Sequence, residues 1–569
     1  MKSEKTIKDE VSIVLTGAAG QGIQSIQKIL THVIKEDGYH VFTTKEFMSR
    51  VRGGMNSTEI RVSSHGGHAY VDSIDILIPL KKGLTPFLEQ RITDDTIILG
   101  EKEELDYEHI IDVPFSDIAK EIGNKLYSNT VAVGLISGLL KLQEELVEEY
   151  IAEVFASKGE DVVEKNRQAL QEGYRRGQEL SQSYSIEISK TKETATRMLL
   201  SGTNAVTLGA LAGGCNFVSA YPMSPSTGVL VSMAGFAERM GIVVEQAESE
   251  IAAINMAIGG WYAGGRAMIT TSGGGFALMT EGTSLAAMLE SPMVLHVAQR
   301  PGPATGLPTR TGQEDLNLVL HAGHGEFPRV ILAPGNTAEA FRLTRDAFEI
   351  ADRYQVPVFV LTDQYFVDSF YDTPRFDIEE AEPEQHIVET DENYRRYELT
   401  DNGISPRGIP GYGTGRVRLD SDEHDQDGFI TEDVVGVRPR MVDKRFFKKR
   451  QLLQEAAIPP ELIGPADYSI LVISWGSNRN TAAEALRKID SEKIALLHVP
   501  QLFPLHASIS EFLDRADTTM VVENNAGGQF ADLLWNQTGR RVDERILKYT
   551  GIPFSVEELQ NEITNRAGV

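Results

Sequence analysis

Cysteine is almost absent: Cys215 is the only one in 569 residues. No disulfide can close within the chain, and four thiolates for an iron–sulfur cluster cannot come from it, so any such cluster belongs to another polypeptide. Cations are also in short supply. Lys and Arg number 55 against 82 Asp and Glu, a net charge of -27, which leaves no surplus to neutralise nucleic-acid phosphates or anionic lipid. Nowhere do ~18 apolar residues run together, as a membrane-spanning helix requires. The opening MKSEKTIKDEVSIVLTG mixes charges and then enters a strand, unlike a targeting segment. These absences lead us to expect an acidic, soluble, cytoplasmic enzyme without solenoid repeats.

At about 150 residues per domain the length suggests three or four domains. VSIVLTG reads as a buried strand, GAAGQG as a turn, and IQSIQKILTHVIKEDG as a helix with Ile23, Ile26, Leu30 and Val33 at helical spacing. HVFTT then completes a β-turn-α-β unit. Strands at VDSIDILIPL and TIILG and a helix in SNTVAVGLISGLLKL fill out a first α/β domain, residues 1–190 with a helical tail and linker. Residues 195–374 alternate helix and strand so regularly that a parallel sheet covered on both faces is expected. Residues 375–460, with acidic runs, NGISPRGIPGYG and the basic helix DKRFFKKRQLLQEA, read as an extension wrapping a neighbour. Alternation resumes over 461–569 as a compact C-terminal α/β domain.

In VVEQAESEIAAINMAIGGWYAGG, Glu245, Glu248 and Glu250 precede an almost wholly small and apolar run. Glu248 and Glu250 suit the first turn of a helix capped by Ser249; the other reading directs one carboxylate into a dry cofactor site. In open α/β sheets ligands bind beyond the carboxyl ends of strands. Ser224 of YPMSPST, Glu250, the TTSGGG turn and Arg300 of HVAQRPGP all fall there. GAAGQG can present backbone N–H groups to a phosphate at a helix N-terminus, yet Ala19 breaks the G-x-G-x-x-G fingerprint and no acid closes HVFTT to hold a ribose. The same residues also read as a structural turn. Arg50 and Arg52 of SRVRGGMNS suit either an anion or an ordinary turn. DSDEHDQDGFITED imitates a calcium loop, but with Gly428 in sixth place Val434 stands where a bidentate Glu belongs, which favours a solvated or partner-contacting acidic loop.

GAAGQGIQ, RVRGGMNS, YPMSPST, EQAESE, HVAQRPGPATGLPTRTGQEDL and HGEFPRVILAP, in this order over nearly the whole chain, resemble the 2-oxoacid:ferredoxin oxidoreductases. The resemblance is to an α subunit with a γ domain fused at its N-terminus. Ala19 replaces a usual glycine, and Ser224 stands where relatives often have threonine. The resemblance implies several α/β domains, with a thiamine-diphosphate pyrimidine-binding domain at 195–374 and a transketolase-C-terminal-like domain at 461–569. It implies that Glu250 hydrogen-bonds N1′ of the aminopyrimidine, beside Tyr221 and Pro222, while Glu245 ends a strand and Glu248 keeps its helix-dipole role. Ser224 and Arg300 are implied to hold the carboxylate of a 2-oxoacid, and Gly20, Gly22 and Arg52 to contact coenzyme A.

The diphosphate end of thiamine needs a metal held through a GDG motif, and the chain contains no GDG. A separate β subunit is therefore implied, carrying that motif, Mg2+ and a 4Fe–4S cluster, in a dimer of αβ pairs that exchanges electrons with ferredoxin. No metal ligand is expected in this chain. The implied reaction converts a 2-oxoacid and CoA into an acyl-CoA and CO2; the reverse, reductive carboxylation of a reductive TCA cycle, is equally allowed. The motifs most resemble the 2-oxoglutarate type, with pyruvate or a branched-chain 2-oxoacid as alternatives. A second substrate carboxylate needs its own cation or donors. Arg310 and His324 are the candidates, unless they pair with Glu314 or Glu326. Two rival readings use the same residues: the pyrimidine-binding subunit of a 2-oxoacid dehydrogenase or transketolase-like enzyme, and a nucleotide-binding scaffold in which Glu250 is only a helix-start acid.

Overall fold

The computed structural model describes residues 5–18, 22–48, 54–103, 107, 109–378 and 383–568. The chain divides into two compact units. The first comprises Met1–Leu200, Ser369–Arg375 and Ser555–Glu557; the second comprises Ser201–Asp368, Phe376–Phe554 and Glu558–Val569.

An eight-stranded sheet organises the first unit, in the order Ile110–Asp112, Ile97–Gly100, Ile76–Pro79, Glu10–Ala18, Met55–Ser63, His40–Glu46, Phe370–Thr373, Met198–Ser201. The Ile23–Glu36 helix buries Ile23, Ile26, Leu30 and Val33, the apolar stripe expected of it. The β-turn-α-β reading needs one correction. Met55–Ser63 pairs antiparallel with both Glu10–Ala18 and His40–Glu46 and so separates them. Charges concealed this strand, because Glu59 and Arg61 are both buried with partners instead of lying on a solvent face. Glu59 accepts from Arg91 at 2.6 and 2.8 Å, and Arg61 Nε donates to Glu10 at 3.1 Å.

Two helices of this unit, Ser128–Leu139 and Glu160–Leu180, touch backbone to backbone. Gly134 and Gly138 face Gly173 and Gly177, and a Cβ on any of the four would lie 2.1–2.2 Å from a carbonyl oxygen of the other helix. Gly138→Ala is therefore expected to destabilise the protein by about 3 kcal/mol, the upper range for overpacking, measured as a lowered thermal midpoint. An unchanged midpoint would show that the helices separate freely.

The sequence reading placed Phe370–Thr373 in the 195–374 domain, but it joins the first unit's sheet, antiparallel to His40–Glu46. Asp372 fixes it there. Its buried carboxylate lies 2.6 Å from His40 Nδ1 and 2.8 Å from Arg197 Nε, and also bonds His68.

The second unit holds a seven-stranded sheet ordered Val243–Gln246, Phe217–Ala220, Ala267–Thr271, Met293–Gln299, Pro357–Asp363, Val330–Leu332, Gln501–Phe503. The first six are parallel and the last antiparallel. Met293–Gln299 and Pro357–Asp363 are buried along their whole length, as strands covered on both faces must be. His296 bridges the Thr270 and Thr362 hydroxyls at 2.8 Å each, and burial pushes its pKa down to about 3, so the ring is neutral. A five-stranded sheet, ordered Glu461–Ile463, Ile494–His498, Ile470–Ser474, Thr518–Glu523, Glu544–Leu547, carries the C-terminal alternation.

The extension packs on its own unit. Lys444 and Lys449 turn inward to Glu290 at 2.6 and 2.7 Å, with all three side chains buried, and Arg396 donates to the Leu289 and Glu290 carbonyls. Lysines are rarely buried, which is why the basic helix read as a surface for a neighbour. The acidic loop closes on itself: Asp425 accepts the N–H groups of Asp427 and Phe429, and Glu423 pairs with Arg438 and Arg445.

Candidate active site

Four adjacent parallel strands of the second unit deliver four loops to one edge of the sheet. In spatial order, Val243–Gln246 leads to Glu250, Phe217–Ala220 to residues 221–224, Ala267–Thr271 to residues 272–275, and Met293–Gln299 to Arg300. This is the carboxyl edge at which open α/β sheets bind ligands.

Glu250 opens the Glu250–Tyr262 helix, and the Ser249 hydroxyl caps it by accepting the Ala252 N–H at 3.2 Å. Glu248 is exposed and precedes the cap, so it lies outside the first turn where the sequence reading had put it. Glu250 is only 5 % exposed, and no described residue donates a hydrogen bond to its carboxylate. Burying such a group unpaired is costly, and the helix N-terminus offsets only part of that. A ligand nitrogen that shares a proton with it fits the site.

The TTSGGG run explains itself here. A Cβ on Gly275 would lie 2.3 Å from Thr271 Oγ1 and 3.0 Å from Glu250 Oε1, and one on Gly273 would fall 2.1 Å from Asp315 Oδ1. Two carboxylates thus press on one turn, and only glycine leaves them room. Arg300 is half-buried and Nη1 donates to the Ser224 carbonyl at 2.7 Å, so these two residues meet as the sequence suggested. Among the described residues no carboxylate lies within ion-pair distance of this guanidinium. Burial lowers its pKa, with Asp315 opposing. Tyr221 and Ser224 are exposed at the same edge, with Pro222 partly covered between them.

A family model described as "Pyruvate flavodoxin/ferredoxin oxidoreductase, thiamine diP-bdg" matches residues 208–444. One described as "Pyruvate ferredoxin/flavodoxin oxidoreductase" matches residues 12–176. A 2-oxoacid:ferredoxin oxidoreductase subunit alpha from Sulfolobus sp is 30% identical over 622 residues, covering 97% of this chain and 96% of that one. The chain belongs to the 2-oxoacid:ferredoxin oxidoreductase α subunits. It is also similar to the 2-oxoglutarate synthase subunit KorA of Archaeoglobus fulgidus, 32% identical over 58% of this chain and 88% of that protein. Among solved structures, a 2-oxoglutarate:ferredoxin oxidoreductase from Magnetococcus marinus, with 2-oxoglutarate, coenzyme A and succinyl-CoA bound, superposes with a TM-score of 0.91 at 29% identity, covering 98% of this chain and 99% of that one. Membership makes the chain an enzyme subunit of the thiamine-dependent family and sets aside the dehydrogenase and scaffold readings.

In this α subunit the segment TGQEDL carries two polar residues without a role in the sequence reading, Gln313 and Asp315, on either side of Glu314. Gln313 locks the 300–315 loop: its side chain donates to the Trp475 carbonyl at 3.1 Å and accepts from Asn478 and the Asn524 N–H. Glu314 accepts the Gly302 N–H at 2.8 Å. Asp315 lies against Gly273. The signal in the sequence was a run of polar residues with no turn to make.

Arg310 and His324 occupy different surroundings. Arg310 is half-buried beside Gly551, whose carbonyl accepts the Thr311 N–H at 3.1 Å. His324 is exposed, its N–H bonded to Ser284 Oγ at 2.9 Å, and it lines a cavity of about 410 Å³ with Glu281, Arg438 and Arg445. In the first unit, Gly22 caps the Ile23–Glu36 helix at φ 83° with no side-chain bond, bordering a cavity of about 270 Å³ lined also by Lys45, Asn56 and Ser57. Ser57 Oγ is buried there without a partner. Ala19, Gly20, Arg50 and Arg52 lie outside the described residues.

Proposed function

We propose that this α subunit, joined to a β subunit, interconverts 2-oxoglutarate, CoA and oxidised ferredoxin with succinyl-CoA, CO2 and reduced ferredoxin. The buried, donorless carboxylate of Glu250 at the carboxyl edge of the sheet carries this reading. Thiamine diphosphate, when bound, would supply carbon-nucleophile and electron-sink chemistry for the loss of CO2 from a 2-oxoacid. Glu250 shares a proton with ring nitrogen N1′ and so sets the protonation of the aminopyrimidine. Tyr221 and Pro222 border the ring. Arg300 offers an unpaired guanidinium to the carboxylate beside the oxo group, and the exposed Ser224 hydroxyl offers a second donor. The first unit's cavity at Gly22 is our candidate contact for coenzyme A, and Gly20 and Arg52, outside the described residues, remain candidates from the sequence alone.

The β subunit supplies diphosphate binding, Mg2+ and the 4Fe–4S cluster. Support comes from the absence of GDG, and from exposed apolar side chains on the Glu250–Tyr262 helix itself, Ile251, Met256 and Tyr262. Among the described residues no helix is long and apolar enough to cross a membrane.

Similarity to the two 2-oxoglutarate relatives supports the substrate. Its distal carboxylate needs a cation, since burying it unpaired costs several kcal/mol, and Arg310 on the pinned loop is our choice over His324. We expect the αβ complex to give a higher kcat/KM with 2-oxoglutarate than with pyruvate, and Arg310→Met to harm 2-oxoglutarate selectively. A preference for pyruvate, or equal impairment on every substrate, overturns the assignment.

A further inference from the structure

Asp315 occupies the N-cap position of the Leu316–His321 helix, where an aspartate ordinarily accepts a backbone N–H, yet its side chain caps nothing. Its backbone is tied down, the N–H donating to Gln299 Oε1 at 3.0 Å and the carbonyl accepting the Val319 N–H at 3.0 Å. The carboxyl group points instead at Gly273, and Oδ2 is sealed from solvent with no hydrogen-bond partner. A buried orphan oxygen in a family site calls for an explanation. Two charged groups face it: Glu314 from its own loop and Arg300 from the end of the Met293–Gln299 strand. The Gly273–Phe276 turn packed on it carries no charge.

We infer that Asp315 is a positioning residue that sets the charge of the 2-oxoacid pocket: neutral, it leaves the Arg300 guanidinium uncompensated for the substrate carboxylate; ionised, it offsets that charge. The inference rests on the reading that Arg300 binds this carboxylate. Burial, with Glu314 adding and Arg300 opposing, pushes the Asp315 pKa up to about 7, so the switch between the two states falls in the working range of pH. The sign follows directly. Below about pH 7 the pocket is cationic and holds an anion well; above it the pair is internally neutralised and holds the same anion less well. The substrate carboxylate is ionised throughout, so it adds no titration of its own.

The test uses the assembled αβ complex and the KM for 2-oxoglutarate from about pH 6 to about pH 8.5. In the wild type KM rises about tenfold across that range, the scale of one unit charge beside a partly buried ligand. In Asp315→Asn, which keeps the shape beside Gly273, KM holds its low-pH value throughout. Glu314→Gln removes a neighbouring negative charge, lowers the Asp315 pKa, and moves the midpoint of the rise to lower pH. An Asp315→Asn enzyme that keeps the wild-type profile overturns the inference. Arg300→Met separates the two claims: if it leaves KM unchanged, the carboxylate assignment itself falls; if it raises KM while Asp315→Asn still follows the wild-type profile, only the role of Asp315 falls.

Discussion

Glu250→Gln, in a complex with full cofactor occupancy, lowers turnover by at least ~10²-fold, the scale of losing a positioned acid or base. Glutamine keeps the volume beside Gly275 and the start of the Glu250–Tyr262 helix. What it removes is the ability to share a proton with a ring nitrogen. Were Glu250 only a helix-start acid, the change would cost about 0.3–1 kcal/mol of stability and leave turnover alone. Turnover and thermal midpoint measured on the same preparation decide between the two, and near-normal turnover would return Glu250 to a structural role.

Turnover by the isolated chain is expected to be nil for every 2-oxoacid, and to appear when a β-type partner is added. The sequence contains no GDG through which a metal could grip the diphosphate. Its one thiol is no help with electrons: Cys215 is buried, and burial pushes its pKa up to about 12, far from the thiolate a cluster needs. A purified single chain that oxidises 2-oxoglutarate with any one-electron acceptor contradicts this division of labour between subunits.

The parallel sheet of the second unit was legible because strands covered on both faces must be apolar along their length, as MVLHVA and PVFVLTD are. Three acids before so apolar a helix raised the question without choosing among them; the family resemblance pointed to Glu250, and of the three it alone is buried. Pairing across long sequence distances was not. Glu59, Arg61, Lys444 and Lys449 each look like surface residues, and each is buried against a partner 32 to 159 residues away or joined to it by a charge that the local pattern does not reveal. Gln313 and Asp315 escaped for a related reason. A polar loop residue gives no periodic signal, and its partners belong to other strands and turns.

Phe370–Thr373 lies between His40–Glu46 and Met198–Ser201 in the first unit's sheet. On the ribosome that order matters. When Ser201 emerges, His40–Glu46 has an open edge and Met198–Ser201, whose only neighbour is the missing strand, has nothing to pair with, and about 170 further residues must be made before that strand arrives. At the usual elongation speed this takes roughly 10 to 30 s, long beside the folding of a single domain. Asp372 comes with that strand, so His40, His68 and Arg197 meanwhile lack the anion that gathers them. The nascent amino-terminal unit therefore waits on its own later sequence, and during that wait its open edges invite strand pairing with other chains.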